Sequence, residues 1–135
     1  MVKTSDLYKF LREIDEDFSP SLSSKVILFE YVEKIQNKAE LIIDIDNNII
    51  RGLVVLYCND LDNKNAYISL VGVKKDYRGR GIARNMMKDA IKIAKDKGMK
   101  ILGIHSNNPA ALNIYKTLGF VTKDFGEREY LELKI

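Results

Sequence analysis

Apolar residues in the first third of the chain recur at helical spacing. Leu7, Phe10, Leu11 and Ile14 share one face of a helix that Ser5 or Asp6 is placed to cap, and the acidic run Asp15-Glu16-Asp17 ends it. Phe18-Ser19-Pro20-Ser21 reads as a turn, after which Ser23 or Ser24 opens a second helix. Its apolar face is Val26, Leu28, Phe29, Tyr31, Val32 and Ile35, and it stops before Asn37. From Ala39 the period changes. The runs 39–45 and 49–58 are β-branched and aromatic, and Asp46-Asn47-Asn48 between them suggests a hairpin. A polar break over 59–65 precedes a third strand, 66–73, so the simplest arrangement is an antiparallel meander.

The second half alternates again. Residues 82–97 form an amphipathic helix with Ala83, Met86, Met87, Ala90, Ile91 and Ala94 on one face and Arg84, Lys88, Lys92 and Lys95 outside it, stopped by Gly98. A short strand follows at 101–105. Asn108-Pro109 starts another helix, since the Asn side chain caps and proline suits the first turn, and Leu118-Gly119 ends it. Residues 120–123 and 130–135 read as a final strand pair around a loop containing Gly126. No linker or repeat divides the chain, so residues 1–135 are expected to form a single domain of mixed α+β class.

With 135 residues, 46% of them hydrophobic and 30% charged, the chain can bury a core, which excludes disorder and collagen-like repeats. The lone Cys58 has no intramolecular disulfide partner and reads as a buried, inert thiol in an apolar strand. No Cys/His spacing suits a metal, so no metal is expected. The start of the chain carries no apolar signal core, and no apolar run approaches the roughly 20 residues that cross a bilayer, so no membrane partner and a reducing, cytoplasmic setting are expected. The net charge of +3 is too small to argue for nucleic acid, but it is unevenly spread. Residues 74–100 hold ten Lys/Arg against three Asp/Glu, whereas residues 1–50 hold six against ten. The basic segment is suited to meeting an anion, and the acidic half points to a cationic acceptor.

Arg78-Gly79-Arg80-Gly81 lies between a strand and a helix, where glycines permit a tight turn and leave successive N–H groups unobstructed. Those amides stand at the positive end of the next helix, with Arg78, Arg80 and Arg84 adding charge, and a phosphate or pyrophosphate is the natural occupant. The loop is not a Walker loop, because no Gly-Lys-Ser/Thr follows, nor a dinucleotide fingerprint, because the third glycine and the acidic ribose contact are missing.

Val71-Gly72-Val73, then Tyr77 to Ala83, then Asn108-Pro109-Ala110-Ala111 through Tyr115 to Gly119-Phe120 together resemble the GNAT superfamily of acyl-CoA-dependent N-acyltransferases. Arg78, Gly81 and Ala83 match its Arg/Gln-x-x-Gly-x-Gly/Ala signature, and Asn108, Ala111, Tyr115, Gly119 and Phe120 match its second. The resemblance implies a three-layer αβα fold with a mostly antiparallel, splayed sheet flanked by helices. It also implies acetyl-CoA as cosubstrate, with the amides of Arg78, Gly79, Arg80, Gly81, Ile82 and Ala83 on its pyrophosphate and the main chain of Val71 and Val73 on its pantetheine arm. The thioester then lies near Asn108 and Tyr115, with Tyr115 as general acid and an amide near Val71 as oxyanion donor.

Where the family often has a carboxylate as general base, two positions before Val71, this chain has Ser69. Asp60, Glu127, Glu129, His105 or a water relay are the remaining candidates. The resemblance places the first two helices on the acceptor side, so Asp17, Phe18, Glu30 and Tyr31 are candidates for shaping specificity. The expected activity is acetyl transfer to a small-molecule amine. A CoA-binding module without turnover, transfer to a protein N-terminus or lysine, and nucleic-acid binding through the basic segment are the competing readings. Pairing of the C-terminal strands would be a route to a homodimer.

Overall fold

The computed structural model describes residues 2–135. Helix α1 (Thr4–Ile14) and helix α2 (Leu28–Lys38) come first, followed by the meander β1 (Glu40–Asp46), β2 (Ile49–Asp60) and β3 (Asn65–Val73). Then come α3 (Ile82–Asp96), β4 (Ile101–Ser106), α4 (Pro109–Thr117), β5 (Val121–Asp124) and β6 (Glu129–Lys134). The six strands form one sheet in the order β1-β2-β3-β4-β6-β5, in which only β3 and β4 run parallel. The turn between β1 and β2 is the expected hairpin, with Asn47 and Asn48 both at positive φ (50° and 63°), the geometry whose twist matches the flanking strands.

Two cores lie on opposite faces of the sheet and make it the middle of three layers. One gathers Val54, Leu56, Ile68, Met86, Met87 and Leu102 beneath α3 and α4. The other gathers Leu7, Phe10, Leu11, Ile35, Leu53 and Val55 beneath α1 and α2. Helix α3 packs directly over Gly52, where a Cβ would meet Met86 Cε at 2.7 Å. Among the described residues no helix is long and apolar enough to cross a membrane.

Both N-terminal helices start differently from the sequence expectation. Helix α1 begins at Thr4 with Lys3 at its N-cap and no side-chain cap, while Thr4 Oγ1 donates instead to Gln36 Oε1 on α2 at 2.7 Å. Helix α2 does not open at Ser23 or Ser24. The Asp15 carboxylate accepts the Ser23 N–H at 2.7 Å and its hydroxyl at 2.5 Å, which holds Leu22–Ser24 as a separate helical turn and delays α2 to Leu28. Asp15 is therefore not a solvated helix end. These bonds hold its carboxyl below the usual range, and it is only 8% exposed.

The pairing of β3 with its neighbours decides the shape of the functional end. With β2, Ile68 faces Leu56 and Leu70 faces Val55, so Ser69 is an extra, unpaired residue. Such a bulge sharpens the local twist and turns the strand. With β4, pairing runs from Asn65↔Ile101 to Ile68↔Ile104 and stops there. Beyond the bulge, β3 and β4 diverge and a wedge opens between them.

Candidate functional site

The wedge continues into a cleft of about 900 Å3 bounded by β3 residues 68–73, the loop and helix start at 77–84, β4 and α4 residues 104–115, the segment 17–25, and Arg128. Its first wall is bare backbone. The Lys74 N–H donates to the Arg51 carbonyl at 2.8 Å, and in an antiparallel ladder alternate residues point to opposite sides. Val71 and Val73 therefore turn their N–H and C=O groups away from β2 and into the wedge. Gly72 permits this strand to lie against α1, since a Cβ there would meet Ile14 Cδ1 at 2.5 Å.

The second wall is the start of α3. Gly79 and Gly81 have φ of 78° and 80°, and a Cβ on either would touch nothing within 4 Å, so backbone conformation rather than space demands glycine. Gly81 is the N-cap and offers no capping side chain. The first bond into the helix is from Asn85 N–H to the Gly81 carbonyl at 3.0 Å, which leaves the amides of Ile82, Ala83 and Arg84 without helical acceptors. Gly79, Gly81, Ile82, Ala83 and Arg84 all line the cleft, so unpartnered N–H groups and the positive helix end converge on it.

The arginines behave differently from their backbones. Arg78 folds back, donating from Nε to the Val73 carbonyl at 3.0 Å and from Nη2 to Asp17 Oδ2 at 2.6 Å. Arg80 stacks its guanidinium 5.3 Å over the Tyr77 ring and does not line the cleft. Arg84 donates to Thr117 Oγ1 at 2.6 Å, which ties α3 to α4. The sequence did not foresee these three side-chain partners, because each depends on how the folded chain brings the loop and its neighbours together.

The third wall is α4. Asn108 caps it, accepting the Ala111 N–H on Oδ1 at 3.1 Å with Pro109 in the first turn. Tyr115 is 3% exposed, with its ring 6.0 Å from that of Phe120. Tyr115 is among the residues that line the cleft. Burial pushes the phenol up to about 12, so it holds its proton throughout the physiological range.

Of the titratable residues considered for a general base, His105 is the one that lines the cleft. It stands on β4 just past the last β3 pairing, with Nδ1 2.7 Å from the Tyr67 hydroxyl and its ring 4.7 Å from that of Tyr130. Asp60 lies at the opposite end of β3, paired with Asn65 and bonded to Asn63. Glu129 accepts from Thr122 and lies 3.6 Å from Lys116 Nζ, and neither it nor Glu127 lines the cleft. Ser69, at the bulge, lines the cleft beside the Tyr31 phenol. Asp17 and Phe18 also line it, whereas Glu30 and Tyr31 do not. Cys58 is half-buried, and burial pushes its thiol up, consistent with an inert side chain.

This geometry has known counterparts. The family model described as Acetyltransferase (GNAT) family matches residues 5–120. N-alpha-acetyltransferase 30 of Schizosaccharomyces pombe is 25% identical over 120 residues, covering 84% of this chain and 79% of its own. An uncharacterized N-acetyltransferase of Methanocaldococcus jannaschii is 37% identical over 79 residues, which cover 54% of this chain and 35% of that relative, so the match spans about a third of its length. The crystal structure of the PaiA N-acetyltransferase from Thermoplasma acidophilum in complex with coenzyme A superposes with a TM-score of 0.78 at 16% identity, over 99% of this chain and 96% of that one, and so shows the same fold. The wedge, the glycine turn and the match of the family model over most of the sequence lead to one conclusion: the chain belongs to the acetyltransferase (GNAT) family.

Proposed function

We propose that the protein transfers the acetyl group of acetyl-CoA directly to the amine of a small-molecule acceptor. The observation that carries this reading is the juxtaposition of an unpaired strand edge at Val71 and Val73, an uncapped helix start at residues 81–84, and the cleft-lining Tyr115. The amides of Gly79, Gly81, Ile82, Ala83 and Arg84 take the pyrophosphate. The edge of β3 takes the pantetheine arm as a strand partner, which requires Arg78 to release the Val73 carbonyl. The thioester is thereby delivered towards Asn108 and Tyr115.

The amine must lose a proton to attack, the carbonyl oxygen must be held as it gains charge, and the thiolate must be protonated as it leaves. His105 accepts the first proton, and its Tyr67 contact fixes the ring. A main-chain N–H near Val71 holds the oxyanion. Tyr115 gives its proton to the sulfur, and it is ready to do so because burial keeps the phenol neutral. Two relatives are named as N-alpha-acetyltransferases, and transfer to a protein N-terminus is the second reading.

Acetyl-CoA at saturating concentration should raise Tm, because a ligand bound only by the native state stabilises it, and an amine should then release free thiol. Binding without thiol release on any amine or peptide N-terminus would leave a CoA-binding module instead. Failure of CoA to compete with nucleic acid at residues 74–100 would favour that other use of the basic segment.

A further inference from the structure

The acidic N-terminal half suggests a cationic acceptor, but folding disposes of its carboxylates. Of the ten Asp and Glu in residues 1–50, only Asp17 lines the cleft, and Arg78 neutralises it at 2.6 Å. The others that pair do so elsewhere: Asp15 with Ser23, Glu13 with Lys74, Glu40 with Lys97, and Asp44 and Asp46 with Arg51. On the acceptor side the cleft instead presents two cations from opposite ends of the chain. Lys25 projects from the segment between the N-terminal helices, and Arg128 from the β5–β6 hairpin. Neither has a carboxylate partner among the described residues. Arg128 is oriented by one bond, Nη2 to the His105 carbonyl at 3.2 Å, which fixes its guanidinium next to the histidine assigned the acceptor's proton.

We infer that the acceptor is an amine that also carries an acid group, a carboxylate or a phosphate, held by Arg128 and Lys25 while its amine faces His105. This rests on the transferase reading and names its substrate class. A guanidinium with free N–H groups in the same cleft as a second cation is an arrangement that suits such an anion, and it repels a polyamine. Holding the acid group at Arg128 also sets the distance from the anchored end of the acceptor to the base, so chain length should matter. The neutral Ser69 beside the cleft adds no negative charge against such a ligand.

The test uses three matched series at equal chain length: unbranched amino acids with the amine and the carboxylate at opposite ends, the corresponding carboxamides and the corresponding diamines. Aminoalkyl phosphates form a fourth arm that separates phosphate from carboxylate. Thiol release from acetyl-CoA is followed, with acetyl-CoA affinity measured separately by calorimetry. The expected result is a kcat/KM for an acid-bearing amine at least about tenfold above that of its amide and its diamine, the value expected for one charge-assisted hydrogen-bonded contact. Arg128→Gln should lower kcat/KM for that acceptor by about tenfold, mainly through KM, and Lys25→Gln should lower it by a smaller factor, with acetyl-CoA Kd within about twofold in both. Preference for the diamine, equal use of the amide, or no turnover of any acid-bearing amine by protein that binds acetyl-CoA would overturn the inference and leave the transferase reading standing. Absence of acetyl-CoA binding would overturn both.

Discussion

The two halves of the cleft are built on different principles. The side proposed for CoA is made of main chain: the strand edge at Val71 and Val73, and the amides of Gly79, Gly81, Ile82, Ala83 and Arg84 around a glycine N-cap. The side proposed for the acceptor is lined by Phe18 and Lys25 from the N-terminal segment, His105 from β4 and Arg128 from the last hairpin, whose side chains would do the recognising. Backbone recognition tolerates many side chains and demands only conformation, namely a positive φ at Gly79 and Gly81 and a strand freed from its neighbour. Side-chain recognition demands particular residues in a particular place. One side can therefore stay fixed across a family while the other varies with the acceptor.

Substitutions that touch chemistry rather than binding should break the account most severely. Replacing Tyr115 by Phe keeps the buried ring against Phe120 and removes only the proton donor, so kcat should fall by about 100-fold or more while acetyl-CoA Kd moves less than about threefold. Equal losses in both would place Tyr115 in the packing instead.

The next effect separates backbone from side chain on the CoA side. Ala83→Glu puts a negative charge in the first turn of α3, which suits the helix end and spares folding, yet it opposes a pyrophosphate on the same amides. Acetyl-CoA Kd should rise at least about tenfold with Tm of the free protein unchanged or higher. By contrast, Arg84→Gln removes a half-buried cation already engaged with Thr117, and its cost in acetyl-CoA affinity should stay within about threefold. If Arg84 outweighed Ala83, the grip would lie in side-chain charge and the contrast between the two walls would fail.

A pH dependence follows from the buried phenol. The folded chain holds the Tyr115 proton up to about 12, whereas the unfolded chain releases it near 10. The folded state thus binds more protons between those values, and its stability falls as pH rises through that window. The loss attributable to Tyr115 should approach roughly 2 kcal/mol by pH 12, and Tyr115→Phe should flatten that part of the alkaline denaturation curve. An identical alkaline slope in the variant would mean the phenol is not buried in the neutral form.

How much of this was legible in the sequence tracks the same division. The glycine turn, the Asn108-Pro109 helix start and the period change at Ala39 are local signals, and each stands where it was expected. Some details of the wedge had no local signal. The bulge that frees β3 rests on Ser69 having no partner on β2, a property of register that no single strand carries. The late start of α2 depends on Asp15 reaching Ser23 across a turn, and the Arg78 ion pair joins residues 61 positions apart. The acceptor wall was least legible, because net charge over a segment says nothing of which carboxylates folding will neutralise. Arg128 illustrates this, being a loop arginine in the sequence and a cleft residue only once β6 lies beside β4.

The central claim, that main-chain N–H groups grip the cosubstrate, is tested most directly by following backbone amide resonances during a titration with coenzyme A. The account predicts that the amides of Gly79, Gly81, Ile82, Ala83 and Arg84 move together with those of Val71 and Val73, and that they move farthest at saturation. Saturable binding that shifts the lysine-rich face of α3 and leaves those amides in place would contradict it.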